Sequence, residues 1–285
     1  MTLVMKVGFS QMKGKVEIYV REGKLKYKFE LKRNITVING NSGNGKSTFY
    51  RIVRDYNLDL MQRGESHTIV ECGDYKLIAM DSLLWNFAQA VPEKYCNSII
   101  VIDEQSSFVK TKRFAKFVVE SKAYFILINR NSLKQLSYSV NEIYNFITSH
   151  GTHILLPIYA SDDNFYIKKK IEHKPKEILS EDSGAGFEFF CMVKDIECKS
   201  AGSNSNIINY LRDNYITDMF IVGDGAAFGP YIKQLKVYIE KDNIQLYLLE
   251  SFEYLLLNAR IFGKEVENVK RNTFNYAEGC SWEQF

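Results

Sequence analysis

A short apolar strand that runs directly into a glycine-rich loop is the strongest constraint on the fold of this chain. Residues 35 to 38 read I-T-V-I, which is typical of a strand buried on both faces of a parallel sheet. The loop G-N-S-G-N-G-K-S-T follows at 40 to 48, and F-Y-R-I-V-R-D-Y after it predicts a helix. Strand, glycine loop and helix in this order are the context of a P-loop, and they predict an α/β fold with a mixed or parallel sheet.

The glycine loop predicts a site for phosphate groups. Glycines at 40, 43 and 45 let the backbone turn its N–H groups toward one point, where the following helix adds the positive end of its dipole. In a P-loop the lysine contacts the β- and γ-phosphates of ATP and the next hydroxyl binds Mg²⁺, which predicts these roles for Lys46 and Ser47. The predicted ATP-binding residues are Gly40, Asn41, Ser42, Gly43, Asn44, Gly45, Lys46, Ser47 and Thr48.

A second apolar strand ends in two carboxylates. Residues 98 to 104 read S-I-I-V-I-D-E, so that Asp103 would reach the shell of the Mg²⁺ ion beside the glycine loop. Glu104 would then polarise the attacking water. We therefore predict hydrolysis of ATP, with Glu104 and Lys46 as catalytic residues and with Ser47 and Asp103 as metal ligands.

A third apolar strand, residues 124 to 128, is followed by Asn129 and Arg130. If the strands are parallel, their carboxyl ends meet at one edge, and these polar residues lie at the same sheet edge as the glycine loop. Ligands of α/β proteins bind at this edge. Arg130 is then either a sensor of the γ-phosphate, counted among the ATP-binding residues, or a surface arginine in a turn.

Three further segments of the N-terminal half have recognisable patterns. Within residues 16 to 40, V-E-I-Y-V and then L-K-Y-K-F-E-L alternate apolar and polar side chains on either side of E-G-K, which predicts a half-exposed hairpin. Residues 67 to 81 predict a strand, a turn at C-G-D and a second strand. The stretch S-L-L-W-N-F-A-Q-A predicts a short amphipathic helix, in which Trp85 and Phe87 are either core residues or a platform for stacking a base.

Composition narrows the class of protein without identifying a partner. The 37 basic and 34 acidic side chains leave a net charge of +3, which is too balanced to predict a nucleic-acid or membrane partner. No stretch approaches the ~20 apolar residues of a membrane span, so that we expect a cytoplasmic protein without a membrane partner. The five scattered cysteines, without a C-x-x-C pair, fit reduced thiols that pack in the protein.

Successive strand and helix patterns in the C-terminal half predict a small parallel α/β sheet. Near the carboxyl ends of its strands lie Glu181, Ser200, Asp224 and either Glu250 or Glu253. Acidic residues at one sheet edge suggest a divalent metal, with Glu181 and Asp224 as ligands. The alternative for Asp224 is a cap in a tight strand-to-helix turn.

The charge-rich stretch between the halves sets the predicted domain boundaries. We predict an ATPase domain at 1–160, a linker at 161–176 and an α/β domain at 177–285. Lysines at 168 to 170, 174 and 176 are either solvated or in contact with a phosphate backbone.

These motifs together resemble a known family. The hairpin, the glycine loop and the I-I-V-I-D-E strand resemble the ATP-binding-cassette class of P-loop ATPases, although the chain has no L-S-G-G-Q signature between Ser47 and that strand. The C-terminal half resembles the TOPRIM fold, with Glu181, Asp224 and Glu253 at its acidic positions and Ala226 in place of the second aspartate of D-x-D. Another flavodoxin-like arrangement remains the alternative topology. A P-loop ATPase followed by TOPRIM is similar to the overcoming-lysogeny-defect (OLD) family of ATPase-nucleases.

The resemblance implies an ATPase that is associated with nucleic acid, acts in phage defence and carries a weak or inactive nuclease site. It implies ATP and Mg²⁺ as cofactors, and DNA or RNA, an effector protein or a second copy of the chain as partners. Two alternatives remain open. One is a phosphotransferase acting on a small acceptor, and the other is a non-enzymatic protein that controls an effector according to the bound nucleotide.

Overall fold

The computed structural model of the chain describes residues 15–40, 43–159, 174–192, 196–214, 218–242 and 244–249. Within these residues the fold is α/β, with a large mixed sheet in the N-terminal half and a small parallel sheet in the C-terminal half. The strands of the large sheet are β1 (Val16–Glu22), β2 (Leu25–Leu31), β3 (Ile35–Ile38), β4 (Ile69–Glu71), β5 (Lys76–Ala79), β6 (Ser98–Ile102), β7 (Tyr124–Ile128), β8 (Ile143–Ser149) and β9 (Thr152–Pro157).

The predicted hairpin and the predicted buried strands are confirmed. β1 and β2 pair antiparallel around a two-residue turn, and Gly23 adopts the positive φ of 57° that such a turn requires at its first position. β3, β6 and β7 are buried along their whole length, and β3–β7 and β7–β6 are parallel pairs. The strand order of the large sheet is β4-β1-β2-β9-β8-β3-β7-β6-β5.

The large sheet curls until its two edges lie close together. β4 and β5 stand at opposite ends of the strand order, yet only residues 72–75 connect them. Eight steps of about 4.8 Å would separate the edges of a flat sheet by about 38 Å, whereas the chain from Glu71 to Lys76 spans at most about 18 Å. The prediction of a strand, a turn and a strand is confirmed, but the two strands pair with β1 and β6 rather than with each other.

The α-helices of the described residues are α1 (Lys46–Arg63), α2 (Ser82–Ala88), α3 (Lys112–Ser121), α4 (Ala185–Cys191), α5 (Asn204–Asp213) and α6 (Ile232–Asp242). α1 lies inside the curl of the sheet, where Phe49, Ile52 and Val53 pack with β1 and β2 on one side and with β3, β6 and β7 on the other. It ends at Gly64, whose φ of 76° and N–H bond to the Leu60 carbonyl form a left-handed C-cap.

An aromatic cluster fills the opposite face of the large sheet. Trp85 of α2 stacks on Phe108 with 5.0 Å between ring centroids and meets Phe114 and Phe117 of α3 edge to face. Trp85 is 6% exposed, so its interpretation as a core residue is confirmed. For Phe87 that interpretation is wrong, because its side chain is 69% exposed on the outer face of α2.

The second sheet consists of parallel strands, as predicted for this half of the chain. Within the described residues it has the order β11-β10-β12-β13, formed by β10 (Glu177–Ser180), β11 (Glu197–Ser200), β12 (Met219–Asp224) and β13 (Gln245–Leu249). Side chains of both sheets contribute to one buried cluster, which joins the β7–β8 connection to α6. Residues 160–173 lie outside the described part of the chain, so the predicted linker and domain boundaries stay a prediction.

Two further predictions concern membrane-spanning helices and the cysteines. No helix in that part of the chain combines the length and the apolarity needed to cross a bilayer. Cys72, Cys96, Cys191 and Cys198 are free thiols; Cys72 is buried, whereas Cys191 is exposed, so that a packing role is wrong for Cys191.

Candidate functional site

The carboxyl ends of four neighbouring strands form the first candidate site, here called the loop edge. β3, β7, β6 and β5 are consecutive and parallel in the sheet, so the segments that follow them emerge at one edge. These segments are the glycine loop, Asn129–Arg130, Asp103–Glu104 and Met80–Asp81. The sequence predicts the first three of them as one site, and the strand order brings them together.

The glycine loop has a backbone conformation that favours glycine. Gly40, Gly43 and Gly45 have φ values of 111°, 91° and 80°, in the region that other residues rarely adopt. A methyl group at Gly40 would also collide with the side-chain amide of Asn145 on β8. Position 40 therefore disfavours other residues, chiefly through its backbone angle and also because the Asn145 side chain would have to move. Asn41 and Ser42 lie outside the described residues.

The end of the loop packs against the antiparallel part of the sheet. The Tyr27 hydroxyl donates a hydrogen bond of 2.9 Å to the Gly45 carbonyl, and the Tyr27 ring stacks on His153 with centroids 4.5 Å apart. A Cβ atom at Gly45 would lie 3.1 Å from both Tyr27 Oη and His153 Cε1. Burial lowers the pKa of His153 below its ordinary value of 6.5. β2 and β9 thus hold the loop in place through Tyr27 and His153. The sequence does not predict this contact.

Lys46 projects back across the loop that precedes it. Its ammonium donates a hydrogen bond of 2.8 Å to the Gly40 carbonyl, and the residue is 5% exposed. Burial lowers the pKa of Lys46, the Arg130 cation lowers it further, and the Glu104 carboxylate opposes both effects. Ser47 is exposed, whereas Asn44 and Thr48 are half-buried. The loop therefore combines a partly desolvated cation, an exposed hydroxyl and a glycine backbone, a donor set that fits a polyphosphate.

Glu104 and Arg130 form an ion pair at the same edge. The Arg130 Nε atom lies 3.2 Å from Glu104 Oε2, and both side chains are partly exposed. Arg130 is therefore directed toward the site instead of standing alone in a surface turn. Its role as a sensor of the γ-phosphate stays a prediction, as does the role of Glu104 as a base.

Asp81 belongs to the loop edge but was missed in the sequence. The Met80 N–H donates to the Val101 carbonyl at 2.9 Å, which extends the β5–β6 ladder and brings Asp81 next to the end of β6. Burial raises the pKa of Tyr50, and the carboxylates of Asp81 and Asp103 raise it further. Asp81 also accepts the Leu84 N–H at 2.8 Å as the N-cap of α2. In the sequence, Asp81 is recognisable only as a carboxylate that follows a predicted strand. The sequence does not show that this strand, β5, pairs with β6.

The second candidate site lies at the carboxyl edge of the small sheet. The Asp224 N–H donates a hydrogen bond of 2.7 Å to Glu181 Oε2. Burial raises the pKa of Glu181 to about 7, the Asp224 N–H opposes this shift, and the nearby Asp182 carboxylate adds to it. The structure thus brings the two predicted metal ligands together, but one Glu181 oxygen already accepts a main-chain hydrogen bond.

Asp224 stabilises a turn at this edge. Its carboxylate accepts the Ala226 N–H at 2.8 Å, and its carbonyl accepts the Ala227 N–H at 3.1 Å. α6 begins only at Ile232, so Asp224 caps the turn and not the helix. This geometry supports the alternative of a structural aspartate, while metal binding by Asp224 stays a prediction.

The other residues predicted at this edge are Ser200 and either Glu250 or Glu253. The Ser200 hydroxyl donates a hydrogen bond of 2.6 Å to the Asp182 carbonyl. Glu250 and Glu253 lie outside the described residues. Across the described residues of both sheets, no group of three or more histidine, cysteine, aspartate or glutamate side chains is arranged to hold a metal ion. The assignments of Ser47, Asp103, Glu181 and Asp224 as metal ligands therefore stay predictions.

Comparisons with protein-family models, with curated proteins and with solved structures find no match for this chain. Its function is inferred here from the residues and the geometry of the two sheet edges.

Proposed function

We propose that the chain binds ATP with Mg²⁺ at the loop edge and hydrolyses it. The observation that carries this proposal is the convergence of Lys46, Glu104 and Arg130. Lys46 is buried and crosses the glycine loop, and Glu104 and Arg130 pair at 3.2 Å beside it. A cradle of backbone donors, a lysine and a carboxylate after a neighbouring strand is the set of groups that phosphoanhydride hydrolysis requires.

Each residue of the loop edge has a distinct role in this proposal. The ammonium of Lys46 would bind the β- and γ-phosphates, and the Ser47 hydroxyl and the Asp103 carboxylate would hold Mg²⁺. The ion, when bound, neutralises phosphate charge. Glu104 would accept a proton from water as the water oxygen attacks the γ-phosphorus and the bond to the β-phosphate oxygen breaks.

In this proposal, the protein is inactive while Arg130 pairs with Glu104. While its guanidinium pairs with Glu104, the Glu104 Oε2 atom is engaged by the cation and is not available to orient water. A γ-phosphate offers the guanidinium a stronger, bidentate partner. Arg130 would then bind the phosphate and release Glu104 to accept the proton from water, so that ATP itself activates the base.

Glu104→Gln tests the proposed chemistry. The amide keeps the shape of the side chain but cannot accept the proton, so release of phosphate from ATP should fall by at least about 100-fold. ATP affinity, measured by calorimetry, should remain within a few-fold of wild type. Glu93→Gln, at an exposed position, is the matched control and should hydrolyse ATP normally. Equal turnover by Glu104→Gln and wild type would exclude Glu104 as the base.

The same assay separates the alternative functions. Phosphate transfer that requires an added acceptor would indicate a phosphotransferase, and ATP binding with negligible turnover would indicate a non-enzymatic partner of an effector. The association with nucleic acid and the role in phage defence rest on the resemblance alone. Stimulation of turnover by DNA or RNA would support the association.

A further inference from the structure

α6, which packs with the small sheet, contacts the loop edge at Arg130. The ammonium of Lys233, in the first turn of α6, donates a hydrogen bond of 3.2 Å to the Arg130 carbonyl. Arg130, Ile232 and Lys233 line one small cavity together with Asn39, the residue that follows β3. A residue of α6, the helix that packs with the small sheet, therefore lies directly behind the arginine that pairs with Glu104.

Two backbone hydrogen bonds fasten the same region of the β7–β8 connection to the small sheet. The Gly229 N–H donates to the Tyr138 carbonyl at 2.9 Å, and the Val140 N–H donates to the Gly225 carbonyl at 3.1 Å. A methyl group at Gly229 would overlap the ring and the carbonyl of Tyr138, so the two backbones touch at this point. The connection is thus fixed to the turn that follows Asp224, and Lys233 adds a third attachment at Arg130.

We propose that the small sheet completes the ATP site, and that Lys233 is a positioning residue that holds Arg130 where its guanidinium meets Glu104. This inference rests on the proposed function of the loop edge. The arginine side chain is long and 48% exposed, so many rotamers compete with the one that reaches Glu104. Fixing the main chain at the Arg130 carbonyl reduces the region that the guanidinium can sample, which favours the pair with Glu104 and, after ATP binds, contact with the γ-phosphate.

A chemical probe can test this positioning without ATP. Phenylglyoxal modifies accessible arginine side chains, and mass spectrometry of the peptide that contains Arg130 gives the rate at this one residue. Lys233→Met keeps most of the length of the side chain and removes the donor. We expect it to speed modification of Arg130 about fivefold, the effect of losing one ordinary hydrogen bond. Glu104→Gln should speed it in the same direction.

Matched variants separate positioning from a general loss of structure. Lys134→Met, at an exposed lysine of the same β7–β8 connection, should leave the modification rate of Arg130 unchanged. Lys233→Arg restores a cationic donor and should return the rate toward that of wild type. An unchanged rate at Arg130 in Lys233→Met would overturn the inference, whether or not the protein hydrolyses ATP.

Turnover provides the second measurement. Lys233→Met should lower kcat/KM for phosphate release by about fivefold, because a less well positioned Arg130 would meet the γ-phosphate of bound ATP less often. In an Arg130→Met background the same substitution should have no further effect, since its action passes through Arg130. Additive losses in the double variant would show that Lys233 acts elsewhere. Absence of phosphate release from wild type would contradict the proposed function, and the modification rates would still decide the positioning.

Discussion

Lys46 is the residue on which nucleotide affinity at the loop edge should depend most. Its ammonium is buried and already forms a hydrogen bond to the loop backbone, so a phosphate would meet a cation held in position. We expect Lys46→Ala to weaken ATP binding by about 2 kcal/mol or more, or at least about 30-fold. Calorimetric titration with ATP measures this. Lys24→Ala, in the exposed β1–β2 turn, is the control. Unchanged affinity in Lys46→Ala would refute the assignment of the loop as a P-loop.

His153 makes the stability of the layer behind the glycine loop depend on pH. Because burial lowers the pKa of His153, the folded protein binds the proton less readily than the unfolded chain does. The stability that this group contributes is therefore fully present above its ordinary pKa of 6.5, and it is lost as the pH falls through the lowered value. Protonation would place a cation between Tyr27 and the loop.

A variant isolates the contribution of His153 from those of other titrating groups. His153→Phe retains an aromatic ring against Tyr27 and cannot bind a proton. Between pH 7.5 and pH 5, we expect the free energy of unfolding in urea to fall further for wild type than for His153→Phe. Identical losses in the two proteins would show that His153 does not produce this dependence.

At the scale of elements, α2 presents two aromatic side chains with opposite expected effects. Trp85 packs among three phenylalanines, whereas Phe87 is exposed two residues later. Trp85→Ala should lower the free energy of unfolding by about 3–5 kcal/mol, because it leaves a large cavity. Phe87→Ala should change it by no more than about 0.5 kcal/mol. Urea unfolding of both variants checks the difference, and similar losses would contradict the orientation of α2.

The strands and helices also differ in how well they can be predicted from residues that are close in the chain. The buried strands β3, β6 and β7 are predictable because each is a short and nearly continuous apolar run. Which face of α2 is buried is less predictable, since seven residues make only two turns and both aromatic side chains are apolar. The pairing of β4 and β5 with distant strands could not be predicted, because a short turn between two strands usually indicates a hairpin.

At the scale of the whole molecule, we predict that the small sheet is a poor nuclease or none. Two-metal phosphodiester cleavage needs oxygen ligands on both sides of two ions about 4 Å apart. Ala226 supplies no side-chain oxygen where the resemblance calls for an aspartate, and Glu181 is half-buried with one oxygen bonded to the Asp224 N–H. Supercoiled plasmid incubated with the protein and Mg²⁺ or Mn²⁺ should therefore stay intact. Robust cleavage that disappears in Asp224→Ala would contradict this.

The sequence by itself determined the local units of this protein. The strand before the glycine loop, the left-handed backbone at Gly40, Gly43 and Gly45, and the carboxylates after β6 depend on residues that are close in the chain. Their geometry follows from side-chain burial and from the conformational freedom of glycine, which act over a few residues. For the same reason, the succession of strands and helices in the C-terminal half could be predicted from their patterns.

Only the tertiary structure decided which of these units are neighbours. It placed Asp81 beside Asp103, paired Arg130 with Glu104, and brought Lys233 of α6 to the Arg130 carbonyl. These contacts join residues that are tens to a hundred positions apart, and many strand orders would bury the same apolar faces equally well. The order adopted here depends on the packing of the whole chain, which no local pattern records.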